Sequence, residues 1–346
     1  MILEKNDFSL LVILTGSLGD LIRGLVITAY IKEKYPKCKI SWLVENSLKD
    51  IVALDKNIDD VIIFKKKDKL KGFLDTIKIL RSKKFDIAFD MQRILKSGIF
   101  SIFSEAPIRV GFSKKDSKEF NFLFNNHFID YYPKDTPKIK QYLAFLKFLN
   151  LDIDDEKENL IFAFTHGALL KEEFENSLKN KECIGIVLGS QWKSKDYEVK
   201  NYITLIKKLL AENQNLNFVL IGTKGQAYLA KEIKDSLKND STKIIDLCGK
   251  TTLTDLVAIF KELKFGVGPD SGAGHLFGAL EVPYISLFGP TIIKRVAPYK
   301  MEHLALQLKL PCIPCYKKNC PLKHNNCMKN LTPDMILDKI KEYKLI

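Results

Sequence analysis

The chain alternates short runs of β-branched and aromatic residues with longer segments whose apolar residues recur every three to four positions. Such runs predict buried strands, and such segments predict amphipathic helices. In the first part of the chain, strands are predicted at 8–14, 39–44, 60–64 and 85–89, with helices at 20–34 and 70–82. Strands that alternate with helices form parallel sheets covered on both faces, so this region is restricted to an α/β fold.

The same alternation restarts after a looser, charged segment at 152–181, which contains the break Thr165-His166-Gly167. Further strands are predicted at 183–188, 217–221, 243–246, 265–267 and 283–288, with helices at 199–212, 226–237, 253–261 and 274–280. A length of 346 residues suits two domains of about 150–170 residues each. We therefore predict two Rossmann-like units, joined near residue 165, with a cleft between them.

The predicted domain boundaries are 1–165 for an N-terminal Rossmann-like domain and 166–330 for a C-terminal one. Residues 331–346 form a last helix that begins at Thr332-Pro333-Asp334, because Thr is a good cap and Pro is favoured at the first helical position. This helix is expected to pack back on the N-terminal domain.

The net charge of the chain is +13, which leaves three classes of partner to consider: nucleic acid, an anionic membrane surface and phosphorylated substrates. Only five of the 55 basic residues are Arg, the side chain that nucleic-acid readers use for bidentate contacts. No nucleic-acid-binding motif is present, so nucleic acid is set aside. The other two classes remain open.

The N-terminal segment MILEKNDFSLLVILTG has acidic residues before a short apolar run and no small-residue cleavage site, so it is not expected to be a signal peptide. No apolar run approaches the roughly 18–20 residues of a membrane span. The seven cysteines give no disulfide framework, as in a reducing compartment. A cytoplasmic protein is expected.

Three loops that follow predicted strands carry the candidate chemistry. The first is Thr15-Gly16-Ser17-Leu18-Gly19-Asp20, whose glycines allow a tight turn before a helix N-terminus. It is neither G-x-G-x-x-G nor a P-loop, so it predicts neither a dinucleotide site nor a Walker site. An Asp at a helix start is usually a cap, and on its own this loop favours a cap for Asp20.

The other two loops lie in the second half. Gly268-Pro269-Asp270-Ser271-Gly272-Ala273-Gly274-His275 has the small residues that let a diphosphate approach a helix N-terminus. Gly189-Ser190-Gln191-Trp192-Lys193-Ser194-Lys195 follows the first strand of this half, at the sheet edge where α/β proteins bind ligands. Lys195 there could neutralise phosphate charge.

In this order, the three loops resemble the bacterial lipopolysaccharide heptosyltransferases of glycosyltransferase family 9. Three further segments support the resemblance: the stretch from Asp86 to Gly98, the stretch from Ala106 to Phe112 with Ser117-Lys118-Glu119, and the cysteine-rich tail, which is similar to heptosyltransferase II-type members. The similarity covers nearly the whole chain.

The resemblance implies a GT-B fold, in which two Rossmann-like domains face a central cleft. It also implies an inverting, metal-independent transfer of heptose from ADP-L-glycero-D-manno-heptose to the inner core of lipopolysaccharide on lipid A, without a cofactor. The C-terminal domain would hold the donor and the N-terminal domain the acceptor. A cytoplasmic location at the inner membrane surface, with peripheral membrane contact, would follow.

The resemblance assigns roles to residues of this chain. Asp20 matches the general base. Donor-binding residues are Ser190, Lys195, Asp270, Ser271, Gly272, Ala273, Gly274 and His275. Acceptor-binding residues are Ser17, Gly19, Asp90, Gln92, Arg93, Lys96, Ser97 and Lys118. For Lys96 and Lys118, a solvated surface lysine is the alternative interpretation.

Two alternatives to this function remain. The stretch 222–226 lacks the acidic residue with which the family often holds the donor ribose, so a different nucleotide sugar, transferred to another surface glycan, is the first alternative. The second is a metal-dependent redox or binding module. Its ligands, for zinc or an iron–sulfur cluster, would come from four cysteines and a histidine: Cys312, Cys315, Cys320 and Cys327, with His324 between them. The spacing of these cysteines favours a structural loop staple over a catalytic metal site, and free thiols are the other interpretation.

Overall fold

The strand-forming runs of the two halves pair into two separate parallel sheets in the computed structural model, which describes residues 6–154, 156–157 and 159–346. The chain divides into two units, Met1–Gly167 and Ala168–Ile346. Residues 1–5, on which the signal-peptide argument partly rests, lie outside the described residues. Each unit has its own sheet and core.

The first sheet has six parallel strands in the order β3-β2-β1-β4-β5-β6. In register, Leu10 of the central strand lies opposite Ile40 on one side and Ile87 on the other. The strands are β1 (Ser9–Ile13), β2 (Lys39–Glu45), β3 (Asp60–Phe64), β4 (Ile87–Asp90), β5 (Ile108–Gly111) and β6 (His127–Phe128).

Six helices cover the two faces of this sheet, as the parallel arrangement requires. They are α1 (Leu18–Leu25), α2 (Ile27–Lys34), α3 (Lys49–Ala53), α4 (Lys69–Arg81), α5 (Leu95–Phe103) and α6 (Lys138–Lys147). Leu80 of α4 and Phe100 of α5 share one buried cluster with Leu11 and Ile13 of β1. On the opposite face, α1 and α2 pack on α6, and Phe145 of α6 contacts Phe89 of β4.

The second sheet also has six parallel strands, in the order β12-β11-β10-β7-β8-β9. When its strands are numbered from its own first strand, the second unit has the same strand order as the first unit. The strands are β7 (Glu182–Val187), β8 (Leu216–Ile221), β9 (Ile244–Asp246), β10 (Leu263–Pro269), β11 (Tyr284–Phe288) and β12 (Leu306–Gln307).

The helices of the second unit are α7 (Glu172–Leu178), α8 (Val199–Glu212), α9 (Ala227–Ser236), α10 (Leu253–Lys261), α11 (Gly272–Ala279), α12 (Ile293–Val296), α13 (Asn326–Lys329) and α14 (Pro333–Glu342). Because strand side chains alternate between faces, Ile184 and Ile186 of β7 point to the cluster formed with α8 and α9. On the other face, Phe260 of α10 stacks on Phe277 of α11.

The C-terminal helix α14 packs within the second unit, which corrects the expectation that it packs on the N-terminal domain. Its apolar side chains Ile336 and Ile340 join the core that α8 covers. Two ion pairs between α8 and α14, Lys208 with Asp334 and Glu212 with Lys341, lie along the same contact. The apolar stripe of α14 is therefore satisfied by its own unit.

In both units, the strand order reverses between the first and the fourth strand. The loops that follow β1 and β4 meet at the carboxyl edge of the first sheet, and those that follow β7 and β10 meet at the carboxyl edge of the second. Ligands bind at this reversal point in open α/β sheets. The fold thus brings the three sequence-predicted loops to two ligand-binding edges.

No helix in the described part of the chain combines the length and the apolar character needed to cross a membrane.

Candidate active site

Asp20 lies in the first turn of α1, directly after β1, at the carboxyl edge of the first sheet. Its Oδ1 accepts hydrogen bonds from Arg23 at 2.8 Å and from Lys138 of α6 at 2.6 Å. Its Oδ2 accepts from the hydroxyl of the exposed Ser17 at 3.2 Å. Both carboxylate oxygens therefore accept hydrogen bonds, Oδ1 from two cations and Oδ2 from the hydroxyl of an exposed loop residue.

The environment of Asp20 keeps it ionised. Burial alone would raise the pKa of the carboxyl, but Lys138 and Arg23 together outweigh burial and hold that pKa well below its ordinary value of 3.8. Burial is also the main reason why the pKa of Lys138 falls to about 8, with Asp20 acting in the opposite direction. Near neutral pH the pair is a carboxylate facing a cation, so Asp20 is available as a proton acceptor.

Hydrogen bonds to the Gln92 side chain connect the loop after β4 with the loop after β1. The side-chain oxygen of Gln92 accepts hydrogen bonds from the backbone amides of Thr15 at 2.9 Å and Gly16 at 3.1 Å. Gln92 was predicted to bind the acceptor, but this oxygen instead fixes the turn that leads to Asp20. The residue therefore joins the two halves of the predicted site on this unit.

Asp90 and Ser97, also predicted to bind the acceptor, are fully buried. The Asp90 carboxylate accepts hydrogen bonds from the side chain of Asn121 and from the backbone amides of Gln92 and Arg93. Burial raises the pKa of Asp90, although these hydrogen bonds oppose the rise. The Ser97 hydroxyl bonds within the first turn of α5. Both residues shape the loop from inside, which corrects the prediction of direct acceptor contact.

Of the remaining predicted acceptor residues, Ser17 is exposed in the loop after β1 and Gly19 is buried in α1. Arg93, Lys96 and Lys118 lie in the segments that follow β4 and β5. Arg93 has a left-handed φ of +56° and places its guanidinium 4.9 Å from the centre of the Phe112 ring. Lys96 lies 4.4 Å from the centre of the Phe64 ring, and burial lowers its pKa. The exposed Lys118 donates its backbone amide to the Arg93 carbonyl. Arg93, Lys96 and Lys118 are thus three cations of the segments that follow β4 and β5, and a backbone hydrogen bond joins two of these residues.

At the edge of the second sheet, Lys195 and Asp270 form a buried ion pair. The Lys195 Nζ atom lies 2.6 Å from Asp270 Oδ2, and their side chains are 12% and 5% exposed. The Thr291 hydroxyl donates to the same carboxylate oxygen at 2.7 Å. Lys195 also lies 4.7 Å from the centre of the Trp192 ring. The loops after β7, β10 and β11 therefore converge on one carboxylate.

Helix α11 begins next to this pair, with Ser271 as its capping residue. Because the carbonyl of the capping residue already accepts the first intrahelical hydrogen bond, the backbone N–H groups that a helix leaves without an intrahelical acceptor are here those of Ser271, Gly272, Ala273 and Gly274. A side chain on Gly274 would place its Cβ 2.6 Å from the Tyr284 ring, so glycine lets the helix pack closely on β11. The ring of His275 is buried. Of the predicted donor-binding residues at this helix start, Gly274 therefore offers a backbone N–H to a ligand, whereas the buried ring of His275 packs inside the unit.

The Ser190 side chain is engaged within its own loop. Its hydroxyl accepts from the backbone amide of Trp192 and donates to the carbonyl of the same residue, both at 3.0 Å. This local ring of hydrogen bonds fixes the start of the segment that carries Lys195. Ser190 is a predicted donor-binding residue, and its hydroxyl holds the conformation of the loop that leads to Lys195.

Comparison with known proteins adds a family to this geometry. The family model described as "Glycosyltransferase family 9 (heptosyltransferase)" matches residues 74–326, which is most of the chain. The chain belongs to this family. This family 9 glycosyltransferase therefore carries its candidate site residues at the strand-reversal points of two Rossmann-like units.

The individual relatives have low sequence identity to this chain. A lipooligosaccharide heptosyltransferase 2 from Campylobacter jejuni is 30% identical over 213 residues, which are 60% of this chain and 64% of the relative. The lipopolysaccharide core heptosyltransferase OpsX from Haemophilus influenzae is 26% identical over 84% of this chain and 82% of its own length. The Escherichia coli heptosyltransferase WaaC, solved with ADP, superposes with a TM-score of 0.78 over 96% of this chain and 99% of that chain, at 19% identity. The superposition shows the GT-B fold.

Two site residues of the glycosyltransferase were missed in the sequence. Lys138 lies 118 positions from Asp20 in the chain, on a helix that no motif marks. Thr291 follows β11 and completes the hydrogen bonds of Asp270. Position at a carboxyl strand edge could have indicated Thr291, whereas nothing in the sequence indicates Lys138.

The cysteine-rich tail is hydrogen-bonded through its backbone to the two loops that carry Lys195 and Thr291. Ser194, next to Lys195, donates its hydroxyl to the Lys317 carbonyl at 2.6 Å and its amide to the Lys318 carbonyl at 3.0 Å. The Tyr316 amide donates to the carbonyl of Pro290, next to Thr291. We call residues 312–327 the cysteine strap. It fixes the positions of the loops that carry Lys195 and Thr291.

The four cysteines of the strap and His324 line one small cavity, together with Ser194 and Pro290. Burial, and then the neighbouring thiols, raise the pKa of Cys327. All seven cysteines are free thiols. Within the described residues, no group of three or more His, Cys, Asp or Glu side chains is arranged to hold a metal ion.

The strap predicts an effect of Ser194→Ala on nucleotide binding. Loss of one hydrogen bond should reduce stability by about 1 kcal/mol and loosen the loop that carries Lys195. We expect a several-fold weaker ADP affinity by calorimetry. Ser177→Ala removes a comparable side-chain-to-backbone bond on α7 and should leave ADP affinity unchanged. Equal ADP affinity in the Ser194 variant and the wild type would contradict a positioning role for the strap.

The cations around Asp20 predict a shift in the pH profile of the enzyme. As the predicted general base, Asp20 should give the wild type an acid limb of kcat/KM below the ordinary carboxyl range, because Lys138 and Arg23 lower its pKa. Lys138→Met removes one of these cations, so burial is less opposed and the limb should move up by about 1–3 pH units. Lys140→Met, which changes a lysine on the same helix that pairs with Glu156, is the control. An acid limb that stays in place would exclude this electrostatic coupling.

Proposed function

We propose that this enzyme transfers heptose from ADP-L-glycero-D-manno-heptose to the inner core of lipopolysaccharide, with inversion and without a metal ion. The observation that carries the proposal is the convergence of Lys195, Asp270 and Thr291 beside the N-terminus of α11. Family membership and the names of the relatives, which are lipopolysaccharide and lipooligosaccharide heptosyltransferases, support the same reaction.

On the acceptor side, Asp20 is the proposed general base. An acceptor hydroxyl attacks the anomeric carbon, the new C–O bond forms, the bond to the β-phosphate oxygen breaks, and the hydroxyl proton passes to Asp20. An oxygen that is bonding to an oxocarbenium-like carbon becomes strongly acidic, so a carboxylate with a low pKa is a sufficient base. Attack on the face opposite the leaving group gives inversion.

On the donor side, the departing ADP gains negative charge as the sugar bond breaks. The four unbonded N–H groups and the positive end of the α11 dipole stabilise such charge. Lys195 adds a cation whose position is fixed by Asp270 and Trp192. Because these groups already supply positive charge, we propose that a divalent cation is not required.

Asp270 is proposed to orient the sugar of the donor. Its Oδ2 accepts from Lys195 and Thr291, so heptose hydroxyls would donate to Oδ1. On the other unit, Arg93, Lys96 and Lys118 would meet the carboxylates and phosphates of the core sugars. We propose cytoplasmic action at the inner membrane, where this lipid-linked acceptor is made.

A different nucleotide sugar is the second candidate donor, and one observation favours it. In the loop after β8, Gln226 stands where an acidic residue would hold a ribose. Its side-chain oxygen accepts a hydrogen bond from the backbone amide of Thr223 at 2.7 Å, and its side chain lies over Gly189. An amide side chain at this position would make different hydrogen bonds to a nucleotide from those of a carboxylate. Calorimetry with ADP, UDP and GDP distinguishes the donors, and a clear preference for UDP would exclude ADP-heptose.

The direct test is a product assay with ADP-heptose and defined truncated core acceptors. We expect one heptose to be added, with inverted anomeric configuration by NMR and with full activity in the presence of a chelator. Lack of transfer to every core acceptor would refute the proposed function. Loss of transfer in chelator, restored by added metal, would refute the metal-independent step and favour the metal-dependent alternative.

A further inference from the structure

Apolar side chains are exposed on three neighbouring elements of the first unit. Leu70, Phe120 and Leu123 are 69%, 71% and 68% exposed, and Leu74 and Leu95 are also exposed. Leu70 and Leu74 are four residues apart and share one face of α4. Single exposed leucines are ordinary on protein surfaces, but a group on adjoining elements marks an interaction site.

These elements adjoin one another. Helix α4 packs on α5, and α5 packs on the turn Asn121–Phe124 that contains Leu123. The backbone amide of Leu95, the first residue of α5, bonds to the carboxylate of Glu119, the neighbour of Phe120. We call the exposed side chains of Leu70, Leu74, Leu95, Phe120 and Leu123 the apolar rim.

Lysines surround the apolar rim. The segment 65–71 has five lysines and one aspartate, and the segment 113–118 has three lysines and one aspartate. Lys114 and Lys115 place their ammonium groups 5.1 Å and 5.4 Å from the ring centres of Phe122 and Tyr131. Long lysine side chains beside apolar groups keep their charges outward while the stems cover apolar surface.

We propose that the apolar rim and its lysines form the surface with which this enzyme docks on an anionic lipid bilayer. Apolar side chains that enter the boundary of the acyl chains, flanked by several lysines over acidic headgroups, give the two components that peripheral membrane binding requires. The charge favours this occupant, because a second copy would bring one cluster of lysines against another. The choice of membrane also rests on the proposed function, whose acceptor is lipid-linked.

The position of the rim relative to the site is consistent with this use. Leu70 and Leu95 lie at the N-terminal ends of α4 and α5, which begin at the carboxyl edge of the sheet where Asp20 also lies. Lys66 at this edge pairs with Glu45 at 2.8 Å, and Glu45 lies beside Gly16 of the Asp20 loop. Docking at the rim would therefore bring the acceptor side of this unit close to the lipid surface.

The test is co-sedimentation of the full chain with vesicles of phosphatidylcholine, alone or with 30% phosphatidylglycerol. We expect binding to the anionic vesicles, weakened by salt and at least tenfold weaker to neutral ones. Leu70→Ser/Phe120→Ser/Leu123→Ser and Lys65→Gln/Lys67→Gln/Lys71→Gln should each reduce anionic binding at least tenfold. The matched controls on the second unit, Leu169→Ser/Tyr228→Ser and Lys231→Gln/Lys234→Gln/Lys238→Gln, should bind as the wild type does.

Two readouts separate this proposal from the proposed function. With a deacylated, water-soluble core acceptor, all four variants should keep wild-type turnover, so the effects are confined to membrane binding. Vesicle binding through the rim by a protein that transfers no heptose would refute the function and leave the docking surface standing. Rim variants that bind vesicles as the wild type does would overturn the docking surface. The docking surface would also be overturned if the protein did not bind vesicles and instead formed a dimer that the apolar variant dissociates.

Discussion

Asp20→Asn should reduce kcat by about 10²–10⁴-fold while leaving ADP affinity within about twofold of the wild type. The amide keeps the shape of the side chain but cannot accept the acceptor's proton. The donor groups Lys195 and Asp270 belong to the other unit, so nucleotide binding has no reason to change. Steady-state kinetics with saturating donor and calorimetry with ADP measure the two quantities.

The control for this experiment is Asp50→Asn, which changes an exposed aspartate in the first turn of α3. It should keep full activity. Thermal melting of both variants confirms that they are folded, since Asp20→Asn leaves Lys138 and Arg23 without their shared carboxylate. Normal turnover in Asp20→Asn would make Asp20 only a partner of these cations and would remove the general base from the mechanism.

Lys195→Ala should weaken ADP binding at least tenfold. The change removes a cation from the diphosphate site and leaves the Asp270 carboxylate buried without its ionic partner, where it repels phosphate. Breaking a buried pair in this way costs about 3–5 kcal/mol, so the variant should also melt at a lower temperature. Calorimetry with ADP and thermal melting separate the two consequences.

Two companion variants show which consequence dominates. Lys195→Arg keeps the charge and should retain most of the affinity, whereas Lys195→Ala/Asp270→Asn removes the orphaned carboxylate and should recover stability without recovering full affinity. Unchanged ADP affinity in Lys195→Ala would place Lys195 outside the donor site. Full recovery of affinity in the double variant would mean that Lys195 acts only by neutralising Asp270.

Much of the fold was predictable because the central strands are nearly continuous apolar runs. The predicted strand 8–14 contains β1, and the predicted strand 183–188 covers all of β7 except its first residue, Glu182. The short strands β5, β6 and β12 were missed, since two to four residues, exposed in β6 and partly exposed in β12, carry no periodic signal. The single helix predicted at 20–34 is divided at Val26 into α1 and α2, because apolar spacing alone does not show where a helix changes direction.

For the candidate site, the sequence predicted which loops lie at the sheet edges but not which of their side chains are buried. The loops after β1, β7 and β10 were found because glycines and small residues between a strand and a helix mark ligand-binding edges. The family resemblance, and not this argument, placed Asp90 and Ser97 in contact with acceptor, yet both are buried supports of the loop. Lys138 could not be found at all, since its meeting with Asp20 depends on how α6 packs on α1.

The identical strand order of the two units has a consequence for protein engineering. Each unit contains its own reversal point, its own core and every hydrogen bond described above for its reactive groups. A chimaera spliced between Gly167 and Ala168 with the matching half of a relative would therefore keep both sets of groups intact. Exchanging halves in this way offers a route to glycan-building catalysts that combine one parent's sugar nucleotide with the other parent's acceptor.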